Sequence, residues 1–135
     1  MQEPSIFTRI LHGEIHQEIL FQDDICFVIL THEPLTPGHA LVIPKEEVGH
    51  LWDLPDGTYH HLMDVCKKVA EKMRTVYTYP RIGMIVEGFG VETHAHIHVF
   101  GFNEGLEPTI IKHSQSEKLV AQDLLKIEAD KLRGL

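Results

Sequence analysis

The sequence predicts an α+β domain built on a mainly antiparallel, five-stranded sheet. The first observation is the order of the apolar periodicities, which read as helix, three strands, helix, two strands and helix. The second is continuity, because no internal repeat, low-complexity stretch or Pro/Gly/Ser-rich linker divides the 135 residues. We therefore expect one domain over residues 1–135, since single domains commonly run to about 100–200 residues.

The first half of the chain predicts a short helix and three strands. Apolar residues at helical spacing indicate a helix that Gly13 ends, namely Ile6, Phe7, Ile10 and Leu11. The run EILFQDDICFVIL then favours two strands, 18–22 and 25–30, joined by a turn at 23–24. After a break rich in proline, the run HALVIP predicts a third strand over 39–44.

The second half predicts the main helix, the last two strands and a closing helix. Apolar residues recur at three and four over 58–77, which is typical of an amphipathic helix. The runs RIGMIVEGF (81–89) and HAHIHVFGF (94–102) favour two strands, which we expect to form the centre of the sheet. The run SQSE fits a capping box and opens a C-terminal helix over 114–132.

Composition and charge exclude several classes of protein. The formal net charge of −8 argues against a general nucleic-acid binder, which draws affinity from positive charge. The start has no signal-like pattern and no apolar run approaches the length of a membrane span, so we expect a cytoplasmic protein without a membrane partner. Cys26 and Cys66 form no CxxC pair, which favours buried core residues in a reducing compartment.

Three histidines at alternate positions stand out in the segment ETHAHIHVFG. Side chains alternate between the two faces of a strand, so His94, His96 and His98 would share one face and the apolar residues between them the other. A half-solvated strand without a function would more often carry Thr, Lys, Glu or Ser at such positions. The pattern therefore indicates a functional cluster of imidazoles.

Two kinds of chemistry fit this cluster. A His-x-His pair on a strand can deliver two neutral imidazoles to one metal ion. This pair resembles the opening of a cupin metal motif, but Phe100 and Gly101 stand where that motif places a carboxylate. Alternatively, an imidazole whose Nδ1–H is held by a carbonyl presents a free Nε2 lone pair to phosphorus, and its neighbours assist the displacement. The middle histidine, His96, is then the natural nucleophile.

The chain resembles the histidine triad (HIT) family of nucleotide hydrolases and transferases. The family signature is His-φ-His-φ-His-φ-φ with φ apolar, and HAHIHVF matches it at every position. SIFTRILHGEI (5–15) looks like the family's opening helix, and PLTPGHALVIPKEEVGHLWDL (34–54) looks like its proline-glycine-histidine strand and the run that follows. The resemblance covers roughly residues 5–101 and implies a HIT-like fold, with the C-terminal helix as an extension.

The resemblance also implies roles for four histidines. His96 would attack the α-phosphorus to give a nucleotidyl-histidine intermediate, and His98 would contact the phosphate or the leaving group. His94 and His39 would complete the cluster and fix its hydrogen bonding. No cofactor is implied; the expected partners are a nucleotide and a second copy of the chain in a two-fold homodimer, with helix 58–77 helping to bury the interface.

Several positions depart from the family pattern. Ser5 and Thr8 stand where many zinc-bearing members have Cys-x-x-Cys, and Glu46-Glu47 replaces a histidine, so we expect no metal and no structural zinc. Thr31 falls where Asp or Asn usually contacts the ribose. Gly90 and Val91 fall in the nucleotide-binding segment, where many members have Gln and Ser or Thr. These changes leave the chemistry of His96 intact and the choice of leaving group open.

The leading hypothesis is a metal-independent hydrolase or nucleotidyl transferase acting on a nucleoside phosphoramidate or a dinucleoside polyphosphate. Two alternatives stay open. One is a non-catalytic nucleotide-binding sensor of the same fold, and the other is a metal enzyme that uses the histidine cluster.

Overall fold

A computed structural model describes residues 3–88, 90–91, 93–103 and 120–135. Its elements follow the predicted order: α1 (Ile6–Leu11), β1 (Ile19–Gln22), β2 (Cys26–Leu30), β3 (Ala40–Pro44), a 3-10 turn (Leu51–Asp53), α2 (Asp56–Tyr77), β4 (Arg81–Ile85), β5 (Ile97–Phe102) and α3 (Gln122–Leu132). The predicted α+β class is therefore confirmed. Within the part of the chain that the structure describes, no helix is long and apolar enough to cross a membrane.

The five strands form one sheet in the order β1-β2-β3-β5-β4, and every neighbouring pair is antiparallel. The prediction that residues 81–89 and 94–102 form the centre of the sheet is wrong for the first of these segments. β5 lies inside, between β3 and β4, whereas β4 is an outer strand. The cause is that β5 pairs with β3 through residues 40–42, which leaves β4 with a single partner.

Both faces of the sheet are covered, each by different helices. One face packs its apolar side chains against α2 and α3, and Cys26 and Cys66 are buried there as free thiols. The other face packs Phe27, Ile29 and Leu41 against α1 and its neighbours. Every residue of β2 and β3 is consequently buried, as expected for strands covered on both sides.

The last two strands are shorter than predicted. β4 ends at Ile85 rather than at 89, and β5 begins at Ile97 rather than at His94. The backbone N–H of Ala95 donates to the carbonyl of Val48 at 2.7 Å, so this segment is held by the loop after β3 instead of by β4. Of the three alternating histidines, only His98 therefore lies within a strand.

The C-terminal helix joins the core that lies under α2. The predicted capping box at 114–117 lies outside the described residues, and α3 begins at Gln122, later than expected. Its buried residues are Leu125, Ala129 and Leu132. Just before it, the N–H of Val120 donates to the carbonyl of His32 at 2.9 Å, and after it Arg133 lies 3.3 Å from Glu18. These contacts tie the helix to the sheet.

Candidate active site

All four sequence-predicted histidines meet on the sheet face that α1 covers. His98 stands opposite Leu41, which belongs to the apolar cluster of that face. The ring of Phe7 on α1 lies 5.6 Å from the ring of His94 and 5.0 Å from that of His96, centre to centre. His39, immediately before β3, completes the group because its ring contacts that of His98. The predicted clustering is thus observed, although two of the triad residues precede the strand.

The hydrogen bonding of His96 leaves one ring nitrogen for chemistry. Its Nδ1–H donates to the backbone carbonyl of His94 at 3.0 Å. A neutral imidazole that donates through Nδ1 carries its lone pair on Nε2. The residue is 8% exposed and lines a cavity of about 300 Å³ beside the cluster. His96 therefore presents a nucleophilic nitrogen to a space large enough for a small ligand group.

A line of hydrogen bonds fixes the protons of His39 and His98. The backbone N–H of Leu35 donates to His39 Nδ1 at 3.0 Å, so the ring proton of His39 must sit on Nε2. That Nε2–H donates to His98 Nδ1 at 2.9 Å, which places the proton of His98 on its own Nε2. His98 Nε2 is buried, and no atom of the described residues completes a hydrogen bond with it. Its nearest acceptor, a carboxylate oxygen of Glu87 at 3.4 Å, does not complete a hydrogen bond, so this N–H is able to donate to a bound anion.

Burial keeps this pair neutral. Desolvation, together with the neighbouring His98, lowers the pKa of His39 to about 3. Desolvation likewise lowers the pKa of His98 to about 4, with the charge of His96 acting in the same direction. Both rings are consequently uncharged at neutral pH and act as hydrogen-bonding groups rather than as cations.

His94 is held by a second network that the sequence did not predict. Its Nε2–H donates to the carbonyl of Pro44 at 2.6 Å, and its Nδ1 accepts from the hydroxyl of Ser5 at 2.5 Å. The carboxylate of Glu47 in turn accepts from the backbone N–H of Ser5 and from the hydroxyl of Thr8, each at 2.6 Å. These two donors lower the pKa of Glu47, the Thr8 hydroxyl most strongly.

This network links α1 to His96. Ser5 caps α1 by accepting from the N–H of Thr8 at 3.1 Å, so the helix start and His94 share one hydroxyl. His94 supplies the carbonyl that orients His96. Ser5, Thr8 and Glu47, three of the positions where the sequence departs from the pattern it resembles, are thus joined here by hydrogen bonds.

The residues that we expect to bind the nucleotide do not all lie beside the histidine cluster. Val91 lines the same cavity as His96, and Gly90 beside it adopts a left-handed φ of 84° with open space around its Cα. Thr31 is not in that cavity. Its hydroxyl accepts from the N–H of Glu33 at 3.2 Å, and it lines a separate cavity between the β2–β3 connection and α3. The structure therefore brings Val91 and His98 to the cluster, leaves Gly90 as the neighbour of Val91 without a contact to the histidines, and leaves Thr31 at the periphery.

Sequence reasoning missed one acidic residue of the site, Glu87. One of its carboxylate oxygens lies 3.4 Å from His98 Nε2. Burial raises the pKa of the Glu87 carboxyl, and the charge of His96 opposes that shift. The register of β4 and β5, which sets Ile85 opposite His98, carries Glu87 to this point. This strand pairing is the signal that places Glu87 in the site. It cannot be predicted from the sequence without knowing where β4 ends.

Glu87 also completes a set of possible metal ligands. One carboxylate oxygen of Glu87 and one ring nitrogen from each of His96 and His98 lie within 4.8 Å of one another. Two imidazoles and a carboxylate with an open side are a donor set that suits zinc and other divalent transition metals. The carboxylate that the sequence motif lacked is thus supplied by the segment that follows β4.

Comparison with known proteins places this chain in one family. The HIT domain model matches residues 12–105. An uncharacterized HIT-like protein of Borreliella burgdorferi is 32% identical over 117 residues, which cover 74% of this chain and 82% of that protein.

Two solved structures share the fold. A HIT-like protein from Bartonella henselae, described as involved in cell-cycle regulation, superposes with a TM-score of 0.82 at 23% identity and covers 98% of this chain and 97% of its own. A HIT family hydrolase from Clostridium thermocellum gives a TM-score of 0.63 at 24% identity, with 78% of this chain and 96% of its own covered. With the family model matching most of the chain and the histidine cluster assembled in the fold, this protein belongs to the HIT domain family.

Proposed function

We propose that this protein is a nucleotide hydrolase or nucleotidyl transferase that cleaves at the α-phosphorus through a nucleotidyl-histidine intermediate. The observation that carries the proposal is the hydrogen bond from His96 Nδ1–H to the carbonyl of His94, because it frees Nε2 for attack. Membership of the HIT family supports the choice of a nucleotide as substrate.

The mechanism divides one displacement into two. His96 Nε2 attacks the α-phosphorus, the bond to the leaving group breaks, and a nucleotidyl group is left on the ring. Water, or another acceptor in a transferase reaction, then displaces His96 and releases the nucleotide. His98 Nε2–H completes no hydrogen bond among the described residues, so it is suited to donate to a phosphoryl oxygen as charge develops there.

The other predicted residues have supporting roles. His39 holds His98 in the tautomer that donates, and His94 supplies the carbonyl that orients His96. Val91 lines the cavity and remains a candidate for contact with the nucleotide. A contact between Gly90 and the nucleotide remains a sequence-based prediction. A contact between Thr31 and the ribose remains the sequence-based prediction. The proposed route requires no cofactor.

A homodimer is part of the proposal. β4 is an outer strand, and Met84 on it is 49% exposed, followed by exposed Val86. An outer strand with exposed apolar residues favours pairing with another chain. A second copy of this chain is the partner that the family resemblance implies.

The test is release of AMP from an adenosine phosphoramidate and from a diadenosine polyphosphate, with a chelator present. We expect turnover by the wild type and its loss in His96→Ala. The matched control is His60→Ala, which removes an exposed histidine from α2 on the opposite side of the sheet. Turnover that survives in His96→Ala would show that another group performs the chemistry.

Two alternatives give different results in this assay. A nucleotide sensor would bind AMP without turning over either substrate. A metal enzyme is the second candidate, and the grouping of Glu87, His96 and His98 favours it. In that case activity would disappear with the chelator and return with added zinc.

A further inference from the structure

A second group of possible metal ligands lies away from the histidine cluster, at the turn between β1 and β2. Asp23, Cys26 and His61 each offer one ligand atom, and these three atoms lie within 4.8 Å of one another. Cys26 belongs to the apolar core between the sheet and α2, whereas α1 covers the other face. The sheet therefore separates this group, which we call the turn cluster, from the proposed nucleophile.

The carboxylate and the thiol of the turn cluster are carried by one closed turn. The N–H of Asp23 donates to the carbonyl of Cys26 at 3.0 Å. The carboxylate oxygen Oδ1 of Asp23 accepts from the N–H groups of Ile25 and Cys26, each at 2.8 Å. These bonds fix the carboxylate and leave Oδ2 for another partner. Carboxylates that bind metals in proteins are commonly hydrogen-bonded in this way.

His61 brings the third donor from the second turn of α2. Its Nε2 lies 2.6 Å from Asp23 Oδ2. The side chains of His61 and Asp23 are 31% and 29% exposed, whereas Cys26 is fully buried. The thiol is thus the innermost donor, and the carboxylate and the ring stand between it and solvent. An ion reaches the thiol from the side that these two groups occupy.

The spacing of the donors suits a metal ion after one small movement. Adjacent ligand atoms around tetrahedral zinc lie roughly 3.4–3.6 Å apart, as follows from bonds of about 2.0–2.3 Å. Asp23 Oδ2 and His61 Nε2, now 2.6 Å apart, would therefore separate by about 0.8 Å. The ring of His61 can make this movement towards solvent because it is partly exposed.

We propose that Asp23, Cys26 and His61 bind a divalent metal ion, with zinc as the best fit, and that the ion ties the β1–β2 turn to α2. A thiolate, an imidazole and a carboxylate form a donor set that zinc prefers. The two anionic ligands balance the charge of the ion, and water completes the tetrahedron. The site is distinct from the start of α1, where the sequence argues against zinc.

Binding exchanges a proton for the ion. The thiol of Cys26 loses its proton to solvent, and its sulfur binds as a thiolate. For the neutral form of His61, the ring proton moves from Nε2 to Nδ1, and Nε2 binds the ion. The unfolded chain does not hold these three donors together, so binding stabilises the folded state.

The first experiment adds cobalt(II) to the full chain after removal of metal. Cobalt accepts the tetrahedral ligands that zinc accepts, and a cobalt–thiolate bond gives an intense charge-transfer band in the near ultraviolet. We expect the band to saturate at about one cobalt per chain and to disappear when zinc is added. Glu87, His96 and His98 offer no thiolate, so an ion bound by that group gives no such band.

Matched variants locate the ion. We expect Cys26→Ser and His61→Asn each to abolish the band, and Cys66→Ser, which removes the other buried thiol of the same core, to retain it. If Cys26→Ser fails to fold, His61→Asn still gives the test, because this residue is partly exposed. Zinc should raise the Tm of the wild type by about 3 °C or more and that of His61→Asn by less than about 1 °C.

Three results would overturn the proposal. The first is a wild type without the band, which would leave Asp23 and His61 as an ion pair. The second is a band that survives in His61→Asn or that is lost in a folded Cys66→Ser, since either would place the ion elsewhere. The third is an equal rise in Tm with zinc for the wild type and His61→Asn. None of these readouts depends on turnover of a nucleotide, so they are independent of the proposed function.

Discussion

The histidines of this site are fixed in orientation and tautomer by hydrogen bonds to their ring nitrogens. The Nδ1 of His96, the Nδ1 of His39 and both nitrogens of His94 are each occupied by a specific partner. An imidazole in a fixed tautomer offers the same atom to every substrate molecule. Changes at these partners should therefore affect the proposed catalysis while leaving His96 itself unchanged.

Glu47 lies one step further from the histidines, because it accepts a hydrogen bond from Ser5, which in turn contacts His94. Its substitution tests whether this network orients the site. Glu47→Ala removes the acceptor of two charge-assisted hydrogen bonds from Ser5 and Thr8. We expect the free energy of unfolding to fall by about 1 kcal/mol and kcat to fall by about tenfold with little change in KM. Urea denaturation and steady-state kinetics measure these effects. Glu46→Ala is the control, and an equal effect there would contradict a specific role for Glu47.

Gly38 is required by both backbone and space. Its φ is +88°, and a Cβ placed on it would lie 2.5 Å from Cε2 of Tyr77. We expect Gly38→Ala to lower the free energy of unfolding by about 2 kcal/mol or more, from backbone strain and overpacking together. Gly57→Ala is the matched control because Gly57 lies in α2 with open space around it. A stability of Gly38→Ala equal to that of the control would contradict this account.

At the scale of elements, the sequence predicted which segments are helix and strand better than where they end. Periodicity identified α2 and the buried strands, because a covered face leaves a clear pattern of apolar residues. The segment at 94–96 carries an equally clear alternation but pairs with the carbonyl of Val48. The choice of the Val48 carbonyl as partner depends on long-range packing, which cannot be predicted from a single sequence.

Dependence on long-range packing also explains why sequence reasoning did not predict two acidic residues near the histidine cluster. The triad spacing was sufficient to predict that His94, His96 and His98 lie together. Glu87 reaches them only through the register of β4 on β5, and Glu47 only through the docking of α1. Local pattern thus predicted the histidine cluster, whereas the acidic groups that contact it depend on the assembled sheet.

The outer strand β4 gives a prediction about assembly. Met84→Glu places a charge on an exposed apolar position of that strand, and we expect it to convert a dimer into a monomer. Small-angle scattering or analytical ultracentrifugation measures the change. Leu124→Glu, at an exposed apolar position on α3, is the control and should leave the dimer intact. A dimer that persists in Met84→Glu would locate the interface elsewhere.

For the molecule as a whole, the buried histidines make stability depend on pH. The pKa of His39 is lowered to about 3 and that of His98 to about 4, from an ordinary value of 6.5. Between these values the unfolded chain binds more protons than the folded one, so stability rises with pH in this window. We expect the free energy of unfolding to fall by at least about 2 kcal/mol from pH 6.5 to pH 4.5.

Urea denaturation across this range provides the measurement. His98→Asn removes one of the two titrating rings and should flatten the pH dependence, whereas His16→Asn, at an exposed position, should leave the slope unchanged. Glu87, whose pKa is raised by burial, acts in the opposite direction and moderates the fall. A stability that is constant between pH 6.5 and pH 4.5 would contradict the neutral buried pair.

The docking of α1 also makes this site sensitive to local opening. The helix has six residues and buries only Phe7 and Ile10, so little apolar surface opposes its detachment. Detachment breaks the contact of Ser5 with His94 and uncovers the rings of His94 and His96, while the sheet keeps its hydrogen bonds. The fraction of competent enzyme is then set by a subglobal equilibrium that amide hydrogen exchange in α1 reports. Warming or mild denaturant should therefore abolish turnover well before the strands lose their exchange protection.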